Sequence, residues 1–364
     1  MRVLLCGGGT AGHVNPALAI SQTIKRNIPY SEFAYVVTPN GIENQLVDFR
    51  KFEIDVSGLK RKLSFSNLKS VYLTFKAIKK CKDIIKEFHP NIIIGTGGYA
   101  SFPVLYAGAK MGVKTVIHES NAFPGKATKM IAKYVDKIFV NFEESKKYFS
   151  SDTEIICTGN PLREGFGTFK KSEMKQKYGF ENKCVILCYG GSLGAKAINE
   201  SAIQLIENFL KENSDVVLIW ASGKKEYEKM YYLIKEKEYD KLKNIIFCDY
   251  IYDMNEKIAM ADIVICRAGA MTVSEMAYCE KCAIFIPSPN VTDNHQYKNA
   301  KLLEDKNAAI LIPEERIHEL TDTVRELVFD KNRRESYEKQ ISAFANRNAN
   351  KIIYKEISDL IKKR

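Results

Sequence analysis

The sequence predicts an α/β protein made of two domains, each a doubly wound parallel sheet. Three observations lead there. A strand, glycine loop, helix order opens the chain and returns near residue 184. A second pair of matching segments stands at 92–121 and 263–290. The length, 364 residues, exceeds the ordinary size of one hydrophobic core.

In order along the chain, RVLLC (2–6) reads as a buried strand and GGGTAG as a tight turn. Asn15 to about Arg26 reads as a helix with Pro16 in its first turn. FAYVV (33–37) is the second strand, ending in Thr38, Pro39 and Asn40. IIIGTGGYASFPVLYAGAKMGVKTVIHESN (92–121) is strand, small-residue loop, helix, strand and polar loop. GNPLREGFGTFKK (159–171) has the glycine content of a join. Beyond it CVILCY (184–189), GGSLGA (190–195) and a helix through Asn199, Ile203 and Ile206 restart the pattern. IVICRAGAMTVSEMAYCEKCAIFIPSPN (263–290) repeats the order of 92–121. From about Ser336 the tail reads as helix, with Tyr337, Ile341, Phe344, Ile352, Ile353 and Ile357 apolar. The expected division is 1–162 and 163–341, with a helix at about 342–364 packing back on the first domain. In both sheets, ligands are expected at the strand carboxyl ends, where the small-residue loops lie.

Composition narrows the function. Apolar residues are 45% and charged ones 27%, and no apolar run approaches the roughly 20 residues of a membrane span. The first residues lack the apolar core and cleavage site of a signal peptide, so a cytoplasmic protein is expected. Nine cysteines, several inside apolar runs, fit reduced thiols. Cys279 and Cys282 form a CxxC without a second pair, which argues against zinc. The net charge of +11 suits nucleic acid, anionic lipid or phosphorylated ligands. No nucleic-acid motif accompanies it, so nucleic acid is not expected as a partner.

Gly7, Gly9 and Gly12 satisfy GxGxxG, but the second strand ends without the acid that would hold a dinucleotide's ribose. GGSLGA lacks the lysine of an ATP-hydrolysing loop. Its Ser192 suits a phosphate at a helix start. In RAGAMTVSE, helix entry near Met271 or Thr272 would aim the amides of Ala270 and Met271 at an anion. Glu275, a turn later, would repel a phosphate but suits a ribose diol. A nucleoside diphosphate fits both.

Five histidines occur. His89 and His318 read as structural or solvated. His118 is open between a core role and a site role. His295 stands beside Gln296 in a polar helix start that suits sugar hydroxyls. His13 follows a glycine loop where the helix dipole favours the neutral imidazole, the form that accepts a proton.

Taken together, GGGTAGHVNPALAI, GTGGYASFPV, HESNAFPGKATK, GNPLR, GGSLGA, CRAGAMTVSE and DNHQYKNA resemble the motif set of the two-domain GT-B glycosyltransferases. The likeness is close for those that add N-acetylglucosamine to a lipid-linked peptidoglycan precursor. The resemblance implies two Rossmann-like domains facing a cleft, UDP-GlcNAc as donor, lipid I as acceptor and lipid II as product. It gives donor-sugar or acceptor-side roles to Thr10, Ala11, Gly12 and Asn121, and places the diphosphate on Arg163 and Ser192. Uracil would meet the backbone near Ile251. Ala270, Met271, Thr272, Val273, Ser274 and Glu275 would cradle diphosphate and ribose, and Gln296 would bind the GlcNAc hydroxyls. His13 would be the catalytic base. Without a D-x-D, no metal is expected to be tightly bound, and no cofactor is implied. Ala11, Ser120, Leu193 and the run 280–282 depart from common family residues. Two other readings are a related transferase acting on diacylglycerol or another lipid, and a sugar-nucleotide-binding regulator without catalysis.

A lipid acceptor requires membrane contact. LKRKLSFSNLKSVYLTFKAIKK (59–80) places Leu68, Tyr72 and Phe75 at helical spacing among Lys60, Arg61, Lys62, Lys69, Lys76, Lys79 and Lys80. Such a stripe packs into a core or lies on an anionic membrane, and the lysines favour the membrane. Peripheral association with the cytoplasmic face of the cell membrane is therefore expected.

Overall fold

The computed structural model describes residues 1–56 and 65–362, and within the helix Phe65–Phe88 the side chains of Ser70 and of Tyr72 onward. It contains two compact units, Met1–Glu164 with Asn346–Arg364, and Gly165–Ala345.

The first unit is built on seven strands: β1 (Arg2–Cys6), β2 (Glu32–Val37), β3 (Arg50–Glu53), β4 (Ile92–Gly95), β5 (Lys114–Glu119), β6 (Lys137–Val140) and β7 (Glu154–Cys157). They pair in parallel in the order β3-β2-β1-β4-β5-β6-β7. The two-residue period of β1 divides its side chains between two cores. Val3 and Leu5 join Val14, Ala17, Ile20 and Ile24 of the helix Ala11–Asn27, and Ile353, Ile357 and Leu360 of the last helix, Ala349–Lys362. Leu4 and Cys6 face Ala77, Cys81 and Ile84 of the Phe65–Phe88 helix, and Val104 and Leu105 of Ser101–Lys110. A sheet covered on both faces is what near-continuous apolar runs such as RVLLC require.

The second unit repeats the plan with β8 (Cys184–Tyr189), β9 (Val216–Ala221), β10 (Ile245–Cys248), β11 (Ile263–Cys266), β12 (Cys282–Phe285) and β13 (Ile310–Leu311). Their order is β10-β9-β8-β11-β12-β13, again all parallel. Strand order reverses direction between β1 and β4 in one sheet and between β8 and β11 in the other. Those switch points open a crevice at the strand carboxyl ends. The four small-residue loops of the sequence leave these four strands.

Three local expectations need correction. The first helix begins at Ala11, not Asn15, so Pro16 lies beyond its first turn and supplies no N–H to the Gly12 carbonyl. The helix after β11 begins at Ala270, capped by Gly269, one residue or more before the expected entry. The tail is two helices, Lys331–Ser342 and Ala349–Lys362. Tyr337 packs on the second unit's core, whereas Ile353 and Ile357 pack on the first.

Candidate functional site

The first glycine loop is held from several sides. The Tyr35 hydroxyl donates to the Gly7 carbonyl at 2.6 Å. Burial pushes that phenol well up, with Cys6 and Glu43 adding to the effect, so it remains a donor. Thr96 Oγ1, just after β4, donates to the His13 carbonyl at 2.6 Å. His13 is the third residue of its helix and is half-buried. Its Nδ1 lies 2.9 Å from the Gly8 carbonyl oxygen and 3.3 Å from Thr10 Oγ1. A carbonyl only accepts, so Nδ1 carries the proton and Nε2 is the acceptor nitrogen. The ring has room because residue 97 is glycine: a Cβ there would stand 2.8 Å from His13 Cδ2 and 3.2 Å from Nε2. Thr10 and Gly12 are exposed and Ala11 is half-buried beside this ring. Tyr99, which the sequence reading passed over, is partly exposed, and a Cβ on Gly9 would meet its ring at 3.4 Å.

The acid absent from the end of β2 arrives from six residues beyond it. Glu43 turns back and is fully buried, its Oε1 accepting from Thr38 N at 3.0 Å and from Thr38 Oγ1 at 2.7 Å. A carboxylate so enclosed offers nothing to a ribose, which accords with rejecting a dinucleotide site.

His118, at the end of β5, is fully buried and its Nε2 donates to the Gly159 carbonyl at 3.1 Å. Burial lowers its pKa from the ordinary value, outweighing the Gly159 bond and the neighbouring Glu119. This resolves its open status as a core histidine. Glu119, another residue missed from sequence, is 4% exposed and organises the next loop. It accepts from the backbone N–H and side-chain amide of Asn121, both at 3.0 Å, and from Gly125 N at 3.1 Å. Asn121 is thereby fixed, half-exposed, at the end of a central strand.

In the second unit, the GGSLGA loop presses on the loop after β9. Glycines 194 and 223 approach so closely that neither tolerates a Cβ. Ser192 is exposed and its carbonyl accepts from Lys224 N. Asn199 ties the following helix down, donating to the Ser222 carbonyl and accepting from Trp220 Nε1, both at 3.0 Å. After β11, Ala270, Met271 and Val273 turn their side chains inward, so the helix start offers backbone amides; Thr272, Ser274 and Glu275 are half-exposed. The first amides of a helix have no acceptor within it and favour an anion. Gln296 is half-exposed with its Oε1 accepting from Ser288 N at 2.8 Å, and His295 donates to the Thr292 carbonyl. Ile251 is buried, flanked by the exposed rings of Tyr250 and Tyr252. Ser192, Ile251, residues 270–275 and Gln296 therefore share the second unit, whereas Arg163 stands exposed at the end of the first unit's main segment.

On the Phe65–Phe88 helix, Ala77, Cys81 and Ile84 face the core, while Tyr72 and Phe75 are 67% and 69% exposed beside exposed Lys76, Lys79 and Lys80. These two aromatic residues are not core. Lys60, Arg61, Lys62 and the side chains of Leu68 and Lys69 lie outside the described residues. Among the described residues no helix is long and apolar enough to cross a membrane.

Comparison with known proteins matches residues 3–140 to the glycosyltransferase family 28 N-terminal domain and residues 185–353 to the family's C-terminal domain. The UDP-N-acetylglucosamine--N-acetylmuramyl-(pentapeptide) pyrophosphoryl-undecaprenol N-acetylglucosamine transferase of Acetivibrio thermocellus is 38% identical over 368 residues, covering 100% of this chain and 99% of that protein. The protein of the same name from Bacillus subtilis is 39% identical over 318 residues, 86% of each chain. Among solved structures, Acinetobacter baumannii MurG superposes with a TM-score of 0.76 at 26% identity, covering 100% of this chain and 99% of that one. A UDP-GlcNAc 2-epimerase from Neisseria meningitidis, bound to UDP-GlcNAc, shares the fold alone, with a TM-score of 0.65 at 15% identity over 99% of this chain and 100% of that one.

Proposed function

The chain belongs to glycosyltransferase family 28, and from that premise we infer that it transfers N-acetylglucosamine from UDP-GlcNAc to lipid I, forming lipid II and UDP. Full-length similarity to curated enzymes of that name supports the donor, the acceptor and the reaction class. The GT-B fold, two parallel sheets with their loops at the switch points, suits a sugar nucleotide.

The observation that carries the chemistry is the bond from His13 Nδ1 to the Gly8 carbonyl, which leaves Nε2 to accept a proton. His13 takes the proton of the MurNAc C4 hydroxyl as that oxygen attacks the anomeric carbon. The anomeric C–O bond breaks with inversion, and its electron pair leaves with UDP. Arg163, Ser192 and the amides of Ala270, Met271 and Thr272 stabilise the departing diphosphate. Glu275 holds the ribose hydroxyls, the backbone near Ile251 meets uracil, and Gln296 meets the GlcNAc hydroxyls, with Val273 and Ser274 completing the cradle. Thr10, Ala11, Gly12 and Asn121 serve the sugar and acceptor side. The exposed Tyr72 and Phe75, with their lysines, suit adsorption to anionic lipid at the cytoplasmic face of the membrane, where a lipid acceptor would be met.

Transfer of radiolabelled N-acetylglucosamine from UDP-GlcNAc to a lipid I analogue tests the reaction. Transfer to diacylglycerol with none to lipid I would overturn the acceptor. Positioned base catalysis is typically worth about 10² to 10⁴ in rate, so His13→Ala should lower kcat by about that factor with UDP affinity unchanged. Full turnover by the folded variant would reject His13 as base.

A further inference from the structure

Glu43 is an ionisable side chain of the first unit that the reaction outlined above leaves without a role. It is fully buried behind the first glycine loop. Two glycines make its pocket. A Cβ on Gly41, in its own turn, would collide with the carboxylate. A Cβ on Gly8 would stand 2.9 Å from Oε1 and 3.1 Å from Oε2. The carboxylate therefore lies flat against the Gly8 backbone. Oε1 is held by the two Thr38 donors, while Oε2 has no hydrogen-bond partner among the described residues. A buried acceptor left unsatisfied is costly, and where one persists it calls for an explanation.

The next link is the Gly8 carbonyl. It is the oxygen that takes the His13 Nδ1 proton, and on its other side it meets Gly98, whose lack of a Cβ is what admits it. The Gly8 peptide is thus enclosed between Glu43 and Gly98, with the imidazole bonded to it. Any shift of that peptide moves the acceptor that sets the ring's tautomer and direction.

We propose that Glu43 is a positioning residue for His13, acting through the Gly8 peptide against which its carboxylate is packed. The proposal rests on His13 being the base. It places no contact between Glu43 and either substrate. Displacement of a reacting group by about 1 Å can cost about 10²-fold in rate, so the effect belongs in turnover. Donor affinity, to which Glu43 gives no proposed contact, should be untouched.

The test is a double-mutant cycle on the full chain, with transfer to a lipid I analogue as one readout and UDP calorimetry as the other. Glu43→Ala should lower kcat by about 10- to 100-fold with KM for UDP-GlcNAc and UDP affinity within about twofold. Glu43→Gln, which keeps the volume and an acceptor for Thr38, should restore kcat to within about threefold of the parent. In a His13→Ala background, Glu43→Ala should cost nothing further, because the group it positions is gone. Should Glu43→Ala fail to fold, Gly8→Ala replaces it in the same cycle, its methyl forcing the carboxylate away from the Gly8 peptide. Parental kcat in Glu43→Ala, a loss confined to KM, or losses that multiply with His13→Ala would each overturn the proposal while leaving the base intact. Full turnover by His13→Ala alone would overturn the base assignment and the proposal with it.

Discussion

The two histidines at the strand ends of the first sheet show how environment divides one residue type between two tasks. His13 lies half-buried beside a glycine, with one nitrogen bonded to a carbonyl and the other an acceptor. His118 is enclosed, neutral, and bonded to the backbone at Gly159. Its depressed pKa carries a sign. The unfolded chain takes up a proton near pH 6.5 that the folded chain refuses, so stability is full above that pH and declines below it, down to the folded value. The expected slope is at most about 1.4 kcal/mol per pH unit from this one site. Urea midpoints measured from pH 7.5 to 5 should show the decline in the parent and a shallower one in His118→Gln. Identical slopes would mean that His118 titrates in the folded protein as it does in the unfolded chain.

At the scale of elements, the last helix deserves the first unit's stability. Ala349–Lys362 comes from the far end of the chain, yet it packs on β5 and the Ala11–Asn27 helix, with Ile353 and Ile357 buried in the same core as Val3 and Leu5 of β1. One face of the first sheet depends on them. Ile357→Ala removes a fully buried side chain and should destabilise the protein by about 2 to 5 kcal/mol, read as a lower urea midpoint. A midpoint unchanged within error would mean that the helix is a loose cover. The same helix also reaches the linker, where the Asn350 side-chain amide donates to the Leu162 carbonyl at 2.8 Å.

For the molecule as a whole, the proposed membrane contact draws on part of the net charge of +11. Tyr72, Phe75, Lys76, Lys79 and Lys80 form an exposed aromatic and basic surface on a helix whose opposite face is core. Near an anionic bilayer each lysine is worth about 1 kcal/mol, so reversing Lys76, Lys79 and Lys80 to Glu should weaken vesicle binding at least about 100-fold. Tyr72→Ser with Phe75→Ser should weaken it further at high salt, where charge attraction is screened and apolar insertion remains. Co-sedimentation with phosphatidylglycerol vesicles checks both. Equal binding by parent and charge-reversed protein would exclude this face.

The two-sheet plan was legible in the sequence, because near-continuous apolar runs such as RVLLC and IVIC, each followed by small residues and a helix, have few other ways to bury both faces. The sequence also placed the small-residue loops at the strand carboxyl ends, whereas their position at the β1/β4 and β8/β11 switch points came with the strand order. Local grammar misplaced the start of the first helix by four residues, because Pro16 suggested a first turn that the packing of Val14 and Ala17 overrides. It could not reveal Glu43 or Glu119. An acid six residues beyond a strand, or one inside HESN, reads as solvated until the fold encloses it. The burial of these carboxylates, the bond of His13 to a carbonyl of the loop before it and the enclosure of His118 all depend on the assembled fold. Periodicity and turn chemistry are carried by neighbours along the chain. Burial and hydrogen-bond partners are set by segments that meet across the sheet, as Gly8, Glu43 and Gly98 do, and no stretch of sequence contains that meeting.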